Sequence, residues 1–311
     1  MTNVERRRCL ALIREQSPPL EPLLPPALPR RFTARIFPGE RDAGNGAGFM
    51  PGIRAALFDV YGTLFCSSAG DINENTGGAA ISGRNLDALA GAYTDSASGA
   101  CLVSYFREAV REYHSRSEAA HPEICVEEIW ERFPGRKISG EELALRYELA
   151  ANPVYPMPGA SGLLSSLKAA GLVLGIVSNA QFYTPLLFEA LLGGTPEELG
   201  FSPEMTIYSY REGEAKPSPV LFEKALCALK RQGIRADETV YLGNDMGNDI
   251  YAAGQAGFRT VLFAGDRRSL RLRENESRIS RLLPGAVVFS LADFEQLLRG
   301  GSFSADTETG A

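Results

Sequence analysis

The chain has 311 residues, of which 44% are hydrophobic and 23% are charged, and its formal net charge is −6. This is the composition of a globular protein of about two domains, and the acidic balance excludes a general attraction for nucleic acid or for an anionic membrane surface. Five cysteines without a CxxC pair indicate reduced thiols, and no apolar run reaches the roughly 18 residues of a membrane span, so we expect a cytoplasmic protein without nucleic-acid or membrane partners.

The first 50 residues differ in texture from the rest of the chain. The stretch SPPLEPLLPPALPRR is rich in proline and cannot form a regular helix or a central strand. We predict a proline-rich extension over residues 1–50 that lies on the body of the protein or is partly disordered. A partner-binding arm is the alternative interpretation, because Leu23, Leu24 and Leu28 offer it apolar surface to bury.

The next segment begins with a buried strand and continues into a helical insert. IRAALFDV is a short apolar run typical of a strand buried on both faces, and Asp59 stands near its end. A small, polar loop follows, and from about Leu86 to Ala151 the apolar residues recur at helical spacing. SGEELALRYELAA opens with a capping box. We therefore predict an all-helical insert over residues 67–157.

From Pro158 onward, helical and strand-like segments alternate. The apolar runs LVLGIVSN, MTIYSY, TVYLGND and RTVLFAG each follow an amphipathic segment, which is the pattern of βαβ units in a parallel sheet covered on both faces. We predict an α/β fold in which residues 51–66 and 158–300 form a Rossmann-like core with a parallel sheet. Residues 301–311 are expected to be a frayed tail.

Polar residues follow four of the predicted strands at the point where each strand ends. Because ligands bind at the carboxyl ends of the strands in an open parallel sheet, these side chains are expected to converge on one site. Each of them alone also has a structural explanation, as a turn or helix cap or as a solvated lysine. Their joint placement favours the common site. These residues are Asp59, Ser178, Asn179, Lys216, Asn244, Asp245 and Asp249.

The order of these residues resembles that of the haloacid dehalogenase superfamily of hydrolases. The resemblance covers residues 53–265, and the helical insert is similar to the helical cap of that family. Four motifs carry it: FDVYGTL with Asp59 and Thr63, IVSNA with Ser178, AKPSPVLF with Lys216, and LGNDMGNDI with Asp245 and Asp249.

The resemblance implies a covalent mechanism in which Asp59 attacks the substrate. A covalent intermediate divides one difficult step into two easier ones. Lys216 would hold an anionic substrate and keep Asp59 ionised. The catalytic residues implied are Asp59, Tyr61, Thr63, Ser178 and Lys216; those implied for substrate binding are Ser178, Asn179 and Lys216; and those implied for Mg²⁺ are Asp59, the Tyr61 backbone carbonyl, Asp245 and Asp249.

The metal loop leaves two assignments open. In many relatives an acid follows the glycine of the strand directly, whereas Asn244 intervenes here. Counted back from Asp249 with the longer family spacing, Asn244 takes the position of the first acid; with the shorter spacing, Asp245 does. We favour Asp245, because a carboxylate binds Mg²⁺ better than an amide does, and keep Asn244 as the alternative.

Tyr61 is the main departure from the phosphatases of this family, which carry a second aspartate at that position. That acid protonates the leaving group and later activates water, and such help increases the rate by roughly 10²–10⁴-fold. The hydroxyl of Tyr61, with a reference pKa of about 10, is a poor base for water at neutral pH. A group from the cap is the alternative source of the proton.

The same motif, DVYGTL, is also similar to that of 2-haloacid dehalogenases, whose halide leaving group needs no proton. Those enzymes use no metal, replace the acids near Asp245, and carry a tyrosine where this chain has Phe222. We therefore favour Mg²⁺-dependent hydrolysis of a small, phosphorylated molecule. A dehalogenase-type hydrolase and a non-catalytic binding protein of the same fold are the alternatives, and no motif specifies the substrate.

One further stretch, AGDRRSLRLRENESR, is dense in arginine. A solvated face is the first interpretation and an anion-binding patch is the second. The arginines concerned are Arg267, Arg268, Arg271 and Arg273.

Overall fold

A parallel sheet of six strands lies at the centre of the computed structural model of the chain. The predicted tail and most of the polar loop after the first motif lie outside the residues that the structure describes. Of residues 79–82 only the backbone is described. The structure describes residues 2–23, 27–37, 49–68, 79–95 and 98–299.

Two sheets are present in the described part of the chain. The central sheet has the order β5-β4-β1-β6-β7-β8 with all neighbours parallel, and β2 and β3 pair antiparallel in a separate ribbon. The predicted α/β core with a parallel sheet is therefore confirmed. The strands are Ala55–Phe58 (β1), Phe65–Ser67 (β2), Val154–Pro156 (β3), Val173–Ser178 (β4), Phe201–Tyr208 (β5), Thr239–Gly243 (β6), Arg259–Phe263 (β7) and Ala286–Val288 (β8).

Helices cover both faces of the central sheet. Successive residues of a strand point to opposite faces, so each buried strand contributes side chains to the apolar clusters on both sides of the sheet. Ala56 and Phe58 of β1 join one apolar cluster, and Ala55 and Leu57 join another. The helices are Asn3–Gln16 (α1), Ala79–Tyr93 (α2), Gly99–Arg116 (α3), Val126–Glu131 (α4), Gly140–Ala151 (α5), Ala160–Ala169 (α6), Thr184–Leu187 (α7), Ser209–Glu212 (α8), Pro219–Arg231 (α9), Ala252–Gln255 (α10) and Leu291–Arg299 (α11). Over the residues that can be described, none of these helices is both long and apolar enough to cross a membrane.

Two of the predicted core helices are less regular than their sequences indicate. α7 continues as a π-helix over Phe188–Leu192, and α10 is preceded by a π-helix over Met246–Tyr251. The second of these carries the residues of the LGNDMGNDI motif, and π-helical turns are frequent at functional sites.

Along the chain, the helical insert (α2 to α5) comes between β2 and β3, the two strands of the short ribbon. Cys66 of β2 pairs with Tyr155 of β3, so the chain enters and leaves the insert side by side. The sequence analysis predicted neither of these three-residue strands. The predicted limits of the insert, residues 67–157, stay a prediction.

The N-terminal extension begins with α1, which the sequence analysis did not predict. Thr2 caps this helix, and Leu10 and Ile13 are buried in the main apolar cluster. The guanidinium of Arg6 donates to the Glu189 carboxylate of the core at 2.5 Å. Arg8 pairs with Glu142 of α5 at 2.9 Å, so the helix contacts the core and the insert together.

Candidate active site

The strand order places three of the predicted site residues next to each other. β1 lies between β4 and β6. The strands β4 and β5 lie on one side of β1, and β6, β7 and β8 lie on the other, so the strand order reverses at β1. Asp59 follows β1 directly, Ser178 ends β4, and Asn244 follows β6. Ligands of open parallel sheets bind at such a switch point. The carboxyl edge of the sheet is therefore the candidate site.

Lys216 is the centre of the site. Its ammonium group lies 2.7 Å from Asp59 Oδ1 and 2.6 Å from Asp249 Oδ1. Burial alone lowers the pKa of the lysine, but the carboxylates of Asp249 and Asp59 outweigh this effect and raise its pKa above the usual value. Burial raises the pKa of Asp249 to about 7, against the opposing effect of Lys216. Lys216 is therefore charged and bridges the carboxyl groups of two segments, one that follows β1 and one that follows β6.

Ser178 and Asn179 hold this bridge in place from the end of β4. The hydroxyl of Ser178 donates to Asp59 Oδ1 at 2.9 Å. The side chain of Asn179 accepts from the backbone N–H of Lys216 at 2.6 Å and donates to its backbone carbonyl at 3.2 Å. Asn179 thus fixes the loop that carries Lys216.

Thr63 and Asn244 connect the first and last motifs. The hydroxyl of Thr63 donates to Asn244 Oδ1 at 3.0 Å, and Asn244 Nδ2 donates to the carbonyl of Ser269 at 2.6 Å. Gly62 lies between them with φ 81°, and a Cβ there would overlap both Asn244 and Ser269. Only glycine combines this conformation with such a close approach. The Asn244 side chain therefore faces the loop of the nucleophile motif.

The carboxylate of Asp245 binds backbone N–H groups of the next helical turn and the side chain of Arg273. Its Oδ1 accepts from the backbone N–H groups of Gly247 and Asn248, which caps the following helical turn. Arg273 binds both carboxylate oxygens, each at 2.5 Å. Arg273 itself has φ 47°, a left-handed conformation that a bulky side chain rarely adopts. The ion pair holds this residue in place.

The arginine-rich stretch is a solvated face only at Arg267, which is exposed, whereas Arg268, Arg271 and Arg273 are partly buried. Arg268 pairs with the buried Asp266 at 2.9 Å, and Arg273 pairs with Asp245. Arg271 lines the cavity described below. Asp266 lies in the same stretch, two residues before Arg268, whereas Asp245 lies 28 residues before Arg273, so that only the second contact depends on the fold.

Tyr241 is a site residue that sequence reasoning missed. It lies inside β6 and looks like an ordinary apolar core residue, yet its hydroxyl lies 3.0 Å from Lys216 Nζ and 3.1 Å from Asp249 Oδ1. Two residues later, Gly243 leaves room for the Asp249 carboxylate, which a Cβ at that position would overlap. Asp249 Oδ2 accepts from the backbone N–H of Asp245 at 2.9 Å.

The side chain of Tyr61 extends away from this cluster toward α7. Its hydroxyl lies 2.9 Å from the hydroxyl of Thr184. Burial, together with the nearby carboxyl of Glu148, raises the pKa of Tyr61 well above its usual value. The phenol is therefore neutral at neutral pH and is not available as a base.

A cavity of about 470 Å³ lies above the acids, between the sheet edge and the insert. Its floor is polar and belongs to the core. Its other walls come from α3, α4, α5 and the segment before α4. The residues of the floor include Asp59, Asn179, Lys216, Asn244, Asp245, Asn248, Asp249, Ser269 and Arg271, and those of the other walls include Phe106, His114, His121, Glu123, Trp130, Tyr147 and Glu148.

Glu148 of α5 is a further residue that sequence reasoning missed. It lines the cavity and is only 6% exposed. One carboxyl oxygen accepts from Asn152 Nδ2 at 3.0 Å, and the other accepts from the Tyr183 hydroxyl at 3.0 Å. Burial raises its pKa to about 7, although both hydrogen bonds oppose this effect. The sequence shows only one more charged residue in a helix that also carries Glu141, Glu142 and Arg146, so nothing there distinguishes Glu148.

We expect Glu148→Gln to change how stability depends on pH. A carboxyl whose pKa rises from 4.5 to about 7 on folding favours the folded state while it is protonated. That contribution is complete below about pH 4.5 and is lost as the pH rises through about 7. Relative to the wild type, the free energy of unfolding of the variant should therefore rise between these values, by up to about 3 kcal/mol.

Urea denaturation of both proteins across this pH range measures the effect. Glu141→Gln, on the same helix but outside the cavity lining, is the control. If the difference in the free energy of unfolding between wild type and Glu148→Gln does not change with pH, Glu148 has the same pKa in the folded and unfolded chains.

Comparison with known proteins agrees with this arrangement. The chain is an α/β protein whose parallel sheet carries acids, a serine and a lysine at its carboxyl edge. A family model described as haloacid dehalogenase-like hydrolase matches residues 53–257. The chain therefore belongs to the haloacid dehalogenase-like hydrolase family, as the motifs predicted.

Two curated relatives match different lengths of the chain. It is 29% identical to the glyceraldehyde 3-phosphate phosphatase of Methanopyrus kandleri over 214 residues, which cover 67% of this chain and 83% of that enzyme. It is 33% identical to the phosphoglycolate phosphatase of Xylella fastidiosa over 129 residues, which cover 41% of this chain and 52% of that enzyme. The chain thus spans about half the length of the second relative.

Two solved structures share the fold. An HAD phosphatase from Thermococcus onnurineus superposes with a TM-score of 0.51 at 19% identity, over 80% of this chain and 99% of that one. A 2-haloacid dehalogenase from Pseudomonas syringae pv. tomato gives a TM-score of 0.50 at 18% identity, over 79% and 97% of the two chains. At these identities the likeness shows the fold alone.

Proposed function

We propose that this hydrolase is a Mg²⁺-dependent phosphatase that cleaves a small, phosphorylated molecule through an intermediate on Asp59. The observation that carries the proposal is the Lys216 ammonium group, which bridges Asp59 and Asp249 on the floor of the cavity. The names of both curated relatives support phosphate chemistry.

The hydrogen bonds to Asp59 favour it as the nucleophile. Among the described residues, Ser178 and Lys216 both bind Oδ1 and leave Oδ2 to attack phosphorus. The new bond is an acyl phosphate on Asp59, and the bond between phosphorus and the leaving oxygen breaks. Water then cleaves the acyl phosphate, which releases phosphate and restores the carboxylate. Throughout, Lys216 compensates the negative charge at Asp59.

The residues of the site fit Mg²⁺ in their chemistry. The available donor atoms are oxygens, which a hard cation prefers. Asp59 and Asp249 share the single positive charge of Lys216, so a cation would compensate the remaining negative charge. The described residues contain no preformed group of three or more acids, cysteines or histidines for a metal. We propose that Asp59, the Tyr61 carbonyl and the Asn244 side chain would hold the ion, with Asp249 behind them. Bound Mg²⁺ would neutralise charge on the phosphoryl group.

The choice between Asn244 and Asp245 gives a direct prediction. Asp245 stays a candidate ligand, but Arg273 and two backbone N–H groups already engage its carboxylate. Asn244→Asp should therefore bind Mg²⁺ roughly 10-fold more tightly, because added ligand charge raises affinity for a hard cation. Asp245→Asn should leave the affinity almost unchanged and instead lower the free energy of unfolding by about 1–3 kcal/mol.

Isothermal titration with Mg²⁺ and urea denaturation separate these two effects. If Asp245→Asn loses Mg²⁺ binding at unchanged stability, the assignment preferred from the sequence is right and the proposed role of Asn244 is wrong.

Hydrolysis of aryl and acyl phosphates with Mg²⁺ and with a chelator tests the proposed function itself. We expect turnover of para-nitrophenyl phosphate and acetyl phosphate that the chelator abolishes. Metal-independent release of halide from a 2-haloacid would assign the chain to the dehalogenases instead. A protein without either activity and without an adduct with a phosphate mimic would be a binding protein of this fold.

A further inference from the structure

The charges that line the cavity are unevenly distributed between its two sides. Within the described lining, the lysine and the arginine both belong to the core: Lys216 and Arg271. On the side of the insert the charged groups are carboxyls, Glu123 and Glu148, beside two histidines. A phosphoryl group on the floor would thus place the rest of the substrate against acids.

Glu148 is buried and Glu123 is partly buried. Glu148 is 6% exposed, and its two hydrogen bonds to Asn152 and Tyr183 leave further acceptor capacity on each oxygen. Glu123 accepts from Ser209, Gln181 and its neighbouring backbone N–H. Burial raises the pKa of both carboxyls, which reflects the cost of removing an ionised acid from water.

Three aromatic rings, Phe106, Trp130 and Tyr147, form an aromatic wall that lines the same cavity as the acids. Trp130 stacks on Phe106 with ring centroids 5.8 Å apart and an interplanar angle of 5°. The ring of Tyr147 lies 4.6 Å from that of Trp130. All three rings line the cavity. The faces of aromatic rings attract organic cations, and quaternary ammonium groups in particular.

We propose that the substrate is the phosphate ester of an amino alcohol, whose ammonium group lies against Glu148 and the aromatic wall while its phosphoryl group lies on Lys216. This inference rests on the proposed function and names the substrate class of the same site. The cavity volume of about 470 Å³ is that of a small-molecule site. A cation beside Glu148 stabilises its ionised form, so binding also offsets the cost of burying the acid.

Two esters of almost the same shape, of which one carries a cation, test the proposal. Phosphocholine carries a quaternary nitrogen, and neohexyl phosphate has carbon in its place. In the wild type, we expect kcat/KM for phosphocholine to exceed that for neohexyl phosphate by about 30-fold or more, the size of a desolvated cation–π contact. Glu148→Gln should reduce this ratio roughly 10-fold. Glu141→Gln, outside the cavity lining, should keep the wild-type ratio.

The ratio of the two rates distinguishes cation binding from leaving-group basicity and from proton transfer. Choline is a less basic leaving group than neohexanol, but this difference is the same in wild type and variant, so the change of the ratio in Glu148→Gln is the decisive measurement. Loss of a proton donor would slow the ester of the more basic alcohol at least as much and would not reduce the ratio, and this result overturns the proposal. Equal rates for both esters in the wild type overturn it as well.

Binding of the free alcohols gives a readout that does not depend on phosphatase activity. Trp130 is the only tryptophan of the chain and lines the cavity, so its fluorescence reports occupancy. We expect choline to change this fluorescence, neohexanol to have a much smaller effect, and Glu148→Gln to weaken the response to choline. Absent turnover of para-nitrophenyl phosphate contradicts the proposed function, whereas an absent or equal response to the two alcohols contradicts the ammonium subsite.

Discussion

Replacing Asp59 by asparagine is expected to reduce hydrolysis of every phosphate ester by roughly 10⁴-fold or more, the loss seen when a covalent nucleophile is removed. An amide cannot form the acyl phosphate, and the neighbouring groups cannot substitute for it. The fold should survive, because Lys216 keeps its ion pair with Asp249 at 2.6 Å. Steady-state kinetics with para-nitrophenyl phosphate measure the loss, and circular dichroism checks the fold.

A phosphate mimic locates the nucleophile independently of turnover. Beryllium fluoride with Mg²⁺ should give an adduct with the wild type, visible by fluorine NMR, and none with Asp59→Asn. Asp237→Asn is a matched control, since this aspartate is exposed and pairs with Arg235 at the surface. An adduct that persists in Asp59→Asn would assign the chemistry to another carboxylate.

The second large effect concerns the basicity of the leaving group. Tyr61 stands where phosphatases of this family carry their second acid, and its hydroxyl is bound to Thr184 at 2.9 Å. Because burial raises its pKa well above the usual value, the phenol neither takes nor readily gives a proton at neutral pH. Alkyl phosphates, whose alcohols leave as strong bases, should therefore be cleaved roughly 10²-fold more slowly than aryl or acyl phosphates.

Two substitutions at this position separate proton transfer from packing. Tyr61→Asp should reduce the difference between alkyl and aryl esters, since it restores the acid. Tyr61→Phe should leave the difference unchanged and remove only the hydrogen bond to Thr184. The measurement is kcat/KM for esters without a cationic group, plotted against the pKa of the leaving alcohol. A flat plot for the wild type would mean that another group donates the proton, and Glu148 would be the first to test.

The sequence alone determined the α/β core and the order of its motifs. Apolar runs and helical periodicity are local properties, so the strands that end at Phe58, Ser178 and Gly243 could be read without the fold. The polar residue after each run was then sufficient to predict one site at the carboxyl edge. The same reasoning could not find β2 and β3, because three-residue strands are too short to show a periodicity.

The tertiary structure decided which partners these residues have. Lys216 meets Asp59 across 157 residues, and Arg273 occupies Asp245 across 28, which favours Asn244 as the residue that faces the nucleophile loop. Glu148 meets Tyr183 across 35 residues, and the cavity that both line exists only where the insert lies over the sheet. Periodicity shows which face of a helix is buried, but the atoms that a buried acid contacts depend on how distant segments pack. For that reason the motifs predicted a site at the sheet edge, whereas the residues of the insert that line the cavity could be found only from the packed structure.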